Sequence, residues 1–246
     1  LAGLAVDGRS DLYSLGVLLY QLLTGRLPHQ SDSMAKLMQL IATEPAPDVR
    51  IHRRSLPESL ALVLAGVLVH AVAFARADDL GGRFLATDID GFHLALDISA
   101  WSLAELSRRV EPHMAEAGGG SIITLSYVAA ERAVPGYNIM GVCKATLDMC
   151  MRYMAFDLGP AGVRVNAVSA GPLRTLAGRG AGVEDMLGLY QHMSPMGRNI
   201  THEEVGKAGA WLLSRESLGI TGEILHVDAG YNIMGSPGRL LELVKQ

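Results

Sequence analysis

Four short runs of branched apolar residues constrain this chain most: VLVHAVAFA (67–75), SIITLSY (121–127), VRVNAVSAG (163–171) and GEILHVDAG (222–230). Longer stretches with helical spacing separate them, at 99–116, 137–158 and 203–214. Runs this short and this apolar read as strands buried on both faces, and helices between consecutive strands carry the chain back to the same end of the sheet. The pattern therefore predicts an α/β portion with a parallel sheet covered by helices on both sides.

Before residue 66 the pattern is different. DLYSLGVLLYQLLTG (11–25) has long apolar residues at helical spacing and stops at Gly25 and Pro28. MAKLMQLIAT (34–43) reads as a second helix, with Ser31 and Ser33 as caps. Pro45, Pro47 and Pro57 frame an irregular stretch, and a third helix is expected from Pro57 toward Gly66. The boundary falls within 62–70, dividing a small all-helical segment (1–66) from an α/β domain (67–246). The chain begins at Leu1 and not at methionine, which reads as a fragment or a processed product.

Composition narrows the function classes. With 49% apolar and 19% charged residues the chain can build a substantial core. A formal net charge of -4 offers no long-range attraction for nucleic acid or acidic lipid, so neither is expected as a partner. The apolar run 61–75 is too short, and too interrupted by His70, to span a membrane. Cys143 and Cys150 share one helical segment without metal-type spacing, and a reducing, cytoplasmic setting is expected. No set of histidines and carboxylates has credible metal spacing, so no metal is expected. His70 and His93 lie in or beside apolar segments and read as structural. Thr201 followed by Glu204 is a capping box, and Asp228 at a strand end reads as a structural hydrogen-bonding group.

The chemistry centres on YNIMGVCK (137–144). Read as one helix, its tyrosine and lysine lie on nearly the same side, about 10 Å apart along the axis. One ligand lying along the helix could touch both. SIITLSY ends a strand at Ser126 and Tyr127, and ligands of parallel sheets bind beyond the carboxyl ends of the strands. Tyr127, Tyr137 and Lys144 thus point at one crevice. VRVNAVSAG ends there too, with Gly171 and Pro172 leading to Leu173, Arg174 and Thr175.

LSYVAAERAVPGYNIMGVCKATLD, RYMAFDLGPAGVRVNAVSAGPLRTLA and ITGEILHVDAGYNIMG carry a specific likeness. From about 68 to 240 the chain resembles the NADH-dependent enoyl-acyl-carrier-protein reductase branch of the short-chain dehydrogenase/reductase superfamily. Y-x6-K is that branch's spacing, where other superfamily members have Y-x3-K. The resemblance implies reduction of the 2,3 double bond of an enoyl acyl-carrier-protein or CoA thioester in fatty acid biosynthesis. NADH is the implied cofactor, with NADPH used by some members. Tyr137 matches the residue that stabilises the developing enolate, Lys144 the one that bonds the nicotinamide ribose, and Tyr127 a second tyrosine of the substrate site. Val72, Ala73, Leu173 and Thr175 match positions beside the cofactor. Residues 178–198 match a helical flap over the acyl pocket, where Met186, Leu187 and Met193 suit a greasy chain. Homo-oligomerisation is implied if this portion folds.

The family's strand-glycine-helix turn for the cofactor pyrophosphate is not found in the chain. The expected fold is therefore the C-terminal part of a doubly wound Rossmann-like sheet lacking its first strands. Residues 1–66 resemble a truncated carboxyl lobe of a bacterial-type serine/threonine protein kinase, through VDGRSDLYSLGVLLYQLLTGRLPH. The glycine-rich loop, H-R-D and D-F-G of that family are absent, so kinase activity is not expected. Two other readings stand beside the reductase. One is a catalytically incompetent fused fragment; the other is a 3-oxoacyl thioester reductase, against which the Y-x6-K spacing argues.

Overall fold

The computed structural model describes residues 66–174 and 183–243. The predicted helical segment, with its kinase resemblance, lies outside these residues.

Strand β1 (Val67–His70) is followed by an irregular stretch and two short turns of 3-10 helix, Ala77–Asp79 and Phe84–Ala86. Helix α1 (Ile89–Leu96) starts at Asp88, whose side chain accepts a hydrogen bond from the Gly91 amide. It runs through one widened π-type turn (Asp97–Trp101) into α2 (Ser102–Glu116). Then come β2 (Gly120–Ser126), α3 (Ile139–Leu158) and β3 (Val163–Ala170). Helix α4 (Val183–Met193) and helix α5 (His202–Leu213) precede β4 (Ile224–Val227), and a short α6 (Leu240–Leu243) follows.

The four strands form one parallel sheet in the order β1-β2-β3-β4, as the alternation of apolar runs and helices requires. On one face Ile122, Val165, Ala167 and Ile224 pack against Leu103 and Met114 of α2 and against Leu147, Met151 and Met154 of α3. Leu147 and Met151 are fully buried, and each such side chain contributes about 1.5–3 kcal/mol. On the other face Ile123 and Val168 meet Leu212 of α5. The sheet is covered on both sides, which is why its strands carry no polar alternation. The Thr201–Glu204 capping box is present, with both reciprocal bonds made.

The first strand is shorter than its apolar run. Register with β2 ends at His70 opposite Thr124, so Val72 and Ala73 lie in the irregular stretch beyond β1 and not at a strand end. Two bonds redirect this stretch: the Phe74 amide donates to Ser99 Oγ at 2.8 Å, and that hydroxyl donates to the Phe74 carbonyl at 2.9 Å. Beyond its single pairing with β2, β1 has no further strand partner among the described residues.

His70 is fully buried and its ring is bonded at both nitrogens. Ser102 Oγ donates to the Ile98 carbonyl at 2.6 Å, so it can only accept from His70 Nε2, 2.8 Å away. That places the proton on Nε2 and leaves Nδ1 to accept from Thr124 Oγ1 at 2.9 Å. Burial, with the nearby Lys144 charge, lowers the imidazole to about 4, so His70 is neutral and joins β1 to β2 and α2.

Candidate active site

The site forms where β2 and β3 end. Tyr127 is extended and follows β2 directly, so its side chain leaves the sheet at the carboxyl edge. A short 3-10 turn (Val128–Ala130) and a loop then lead to Tyr137. The two rings meet edge to face, with centroids 4.9 Å apart and planes at 61°. Burial raises both phenols: Tyr127 to about 12, and Tyr137 further still, with the neighbouring Tyr127 adding to its rise. Both therefore remain protonated at neutral pH and can donate a hydrogen bond to a ligand oxygen.

Tyr137 is not part of the helix, contrary to the reading of 137–158 as one helix. Helix α3 begins at Ile139, and a tight turn with the Met140 amide on the Tyr137 carbonyl (2.9 Å) precedes it. Seven-residue helical spacing thus does not place the tyrosine over the lysine; the turn geometry and the Tyr127 ring place it. Asn138, inside that turn, has φ 40° and ψ -116°, a conformation that costs a residue other than glycine about 1–3 kcal/mol.

Lys144 is buried on the sheet side of α3. Its ammonium donates to the Leu125 carbonyl at 2.7 Å, pinning α3 to the carboxyl end of β2. Burial lowers its pKa to about 8, opposed by Asp148 one helical turn further on. Asp148 is buried too, and burial raises its carboxyl. The Ser126 hydroxyl is near enough to oppose that rise, yet neither Ser126 Oγ nor Asp148 Oδ1 has a partner at hydrogen-bond distance and angle.

An ammonium has three donors, and Leu125 takes one of those on Lys144. A buried cation with donors to spare, at the carboxyl edge of a parallel sheet, fits the vicinal hydroxyls of a ribose. The donor set therefore suits the nicotinamide end of a dinucleotide. Among the described residues no strand-glycine-helix turn offers a matching site for the pyrophosphate.

The remaining expected positions are dispersed. Val72 is buried, Ala73 exposed and Leu173 half-buried; Thr175 and the flap residues 178–182 lie outside the described residues. Gly171 packs closely on the segment after β4: a Cβ there would come within 3.3 Å of Asp228 Cα. Asp228 is spent on the turn after β4, accepting from the amides of Gly230 (2.9 Å) and Asn232 (2.8 Å). Met186 and Leu187 face inward from α4, Met186 against the tyrosine cluster. Two recesses open nearby. One of about 500 Å³ is lined by Val128, Met193, Tyr231 and Met234; another of about 480 Å³ is lined by Phe84, Ala129, Tyr137 and Val142. Only the second touches Tyr137, and only the first touches α4.

Two further tyrosines join the site. Tyr190 of α4 shares a 2.5 Å hydrogen bond with the Tyr127 hydroxyl, and its ring stacks on Tyr231 at 4.0 Å. No local signal marks either one, because their partners are distant in sequence.

The described strands form part of a Rossmann-like parallel sheet, with a tyrosine and a buried lysine at its carboxyl edge. Residues 65–232 match the family described as Enoyl-(Acyl carrier protein) reductase, and this chain belongs to that family. The enoyl-[acyl-carrier-protein] reductase [NADH] FabI of Nostoc sp. is 52% identical over 170 residues, which cover 69% of this chain and 65% of that protein. The Bacillus cereus FabI is 47% identical over 169 residues, covering 68% and 65%. The solved enoyl-(acyl-carrier-protein) reductase of Anaplasma phagocytophilum, in complex with NAD, superposes with a TM-score of 0.66 at 43% identity. It matches 70% of this chain and 63% of its own. The Bacillus cereus enzyme with NADP+ and indole naphthyridinone gives 0.67 at 47% identity, over 69% of this chain and 66% of its own. The chain thus spans just under two thirds of the length of the first relatives it matches.

Proposed function

We propose that this chain carries the substrate half of an enoyl thioester reductase, acting on an acyl-carrier-protein or CoA thioester with NADH. The observation that carries the reading is the half-buried Tyr137 and the buried Lys144, held at one sheet edge by Tyr127 and the Leu125 carbonyl. A reduced nicotinamide, when bound, supplies hydride to the β-carbon of the enoyl group. Negative charge then develops on the thioester oxygen. A protonated Tyr137 hydroxyl is suited to donate to that oxygen and to stabilise the charge. Lys144 would hold the ribose hydroxyls with its spare donors, and its charge favours the developing anion. Tyr127 buttresses the Tyr137 ring. Val72, Ala73, Leu173 and Thr175 are proposed beside the cofactor from their sequence match.

The relatives named above are described with NADH, NAD or NADP+, which supports a nicotinamide cofactor here. Met149, Tyr153 and Phe156 form an exposed stripe along α3, which supports self-association. Among the described residues no helix is long and apolar enough to cross a membrane.

The test is turnover of a crotonyl thioester by the purified chain, with anaerobic NADH titration alongside. Saturable NADH binding and turnover that is lost in Tyr137→Phe are expected. Absence of both in a folded chain would favour the incompetent-fragment reading, and preference for a 3-oxoacyl over an enoyl thioester would favour the carbonyl-reductase reading.

A further inference from the structure

The turn that presents Tyr137 is built for glycine but occupied by asparagine. With φ 40° and ψ -116°, and with the Met140 amide bonded to the Tyr137 carbonyl, Asn138 takes the first central position of a type II′ turn. Asn138 and Ala229 are the only non-glycine residues with positive φ among the described residues.

What holds the turn closed comes from a distant loop. The Asn138 side-chain amide donates to the Gly81 carbonyl. The Gly81 amide in turn donates to the Gly136 carbonyl at 3.0 Å. Gly81, in the loop between β1 and α1, therefore bonds to the residue before Tyr137 and to the residue after it. The surrounding backbone is committed as well: the Tyr137 amide donates to Val134, and the Asn138 carbonyl accepts from Gly141. The Tyr137 backbone is thereby fixed at both its amide and its carbonyl, and its ring rests on Tyr127.

We propose that Asn138 is a positioning residue for the Tyr137 hydroxyl: its amide clamp on Gly81 keeps a glycine-type turn closed and so fixes the Tyr137 ring against Tyr127. Residue chemistry explains the choice. Glycine would adopt the backbone without strain but has no side chain to reach Gly81. Aspartate tolerates positive φ but offers an acceptor to a carbonyl, which repels it. Asparagine both tolerates the conformation and donates. The functional weight of the clamp rests on the reading of Tyr137 as the oxyanion donor; the placement of its ring does not.

The substitutions Asn138→Gly and Asn138→Asp separate strain from clamp. A chain labelled with 13C-tyrosine reports the Tyr137 ring, its signal identified by its disappearance in Tyr137→Phe. In Asn138→Gly the melting temperature should equal or exceed that of the parent, while the Tyr137 signal shifts and broadens and those of exposed tyrosines stay in place. Crotonyl thioester turnover should fall about tenfold or more in kcat with KM little changed. Asn138→Asp should disturb the same signal and melt lower. An unchanged Tyr137 signal in Asn138→Gly overturns the proposal, as does a signal change that merely tracks a loss of melting temperature. If the parent chain shows no turnover, the reductase reading fails and the ring signal still decides the clamp.

Discussion

The hydroxyls of Tyr127 and Tyr190 lie 2.5 Å apart, joining the end of β2 to α4 across 63 residues of sequence. Tyr190 is in turn stacked on Tyr231, so the bond and the stack together link the strand end, α4 and the segment after β4. Tyr190→Phe should leave the Tyr127 hydroxyl buried without that partner and destabilise the fold by about 1–3 kcal/mol. The Tyr190 bond lowers the Tyr127 phenol, so the variant should ionise at still higher pH. Urea unfolding and ultraviolet titration of the phenols would check both; an unchanged midpoint would show that the bond carries no stability.

Lys144 makes stability depend on alkali. Its folded pKa is depressed to about 8, from 10.5, so between these values the unfolded chain binds the proton that the folded chain has released. Stability from this group therefore rises as pH rises through that window, by at most about 3 kcal/mol. Cys143, raised to about 11, acts in the opposite direction above its ordinary range. The readout is therefore the difference between the parent and Lys144→Met in urea unfolding at pH 7.5, 9 and 10. That difference should move in favour of the parent as pH rises. A constant difference would mean that the ammonium is not depressed.

His70 sets the acid side. Its imidazole is held neutral down to about 4, against an ordinary 6.5, so below 6.5 only the unfolded chain takes up the proton. Stability should fall as pH drops from 6.5 toward 4. His70→Phe should be less stable at pH 7, because Thr124 and Ser102 lose their ring partner, but its acid slope should be shallower. Parallel slopes in parent and variant would assign acid unfolding to other groups.

The turn between α2 and β2 is a packing requirement and can be tested with two neighbours. Gly118 has φ 79° and open space where a Cβ would go, whereas a Cβ on Gly119 would sit 2.6 Å from the Gly162 carbonyl oxygen. Gly118→Ala should cost about 1 kcal/mol from backbone strain alone. Gly119→Ala should cost several times more, because it must part the turn from the start of β3. Equal melting temperatures for the two variants would contradict this.

Much of the fold was legible in the residues. The four branched runs and their intervening helices dictate a parallel sheet, since strands buried on both faces need no alternation and a helical crossover returns the chain to the same end. Tyr127, Tyr137 and Lys144 could be assigned to one edge because strand ends in such a sheet converge there. The extent of β1 could not be read from composition: VLVHAVAFA is apolar throughout, and only pairing with Thr124 and capture of Phe74 by Ser99 end the strand at His70.

What the sequence determined by itself was local periodicity, the capping of α5 by Thr201 and the family to which the motifs belong. The tertiary structure alone decided that Tyr137 stands in a strained turn before its helix, with Gly81 closing that turn from another loop. It also decided that Tyr190 meets Tyr127 and that Lys144 is buried against Leu125. The physical reason is the same in each case. Helical and strand spacing is a property of neighbouring residues, whereas burial and hydrogen-bond partners depend on groups brought together from far along the chain.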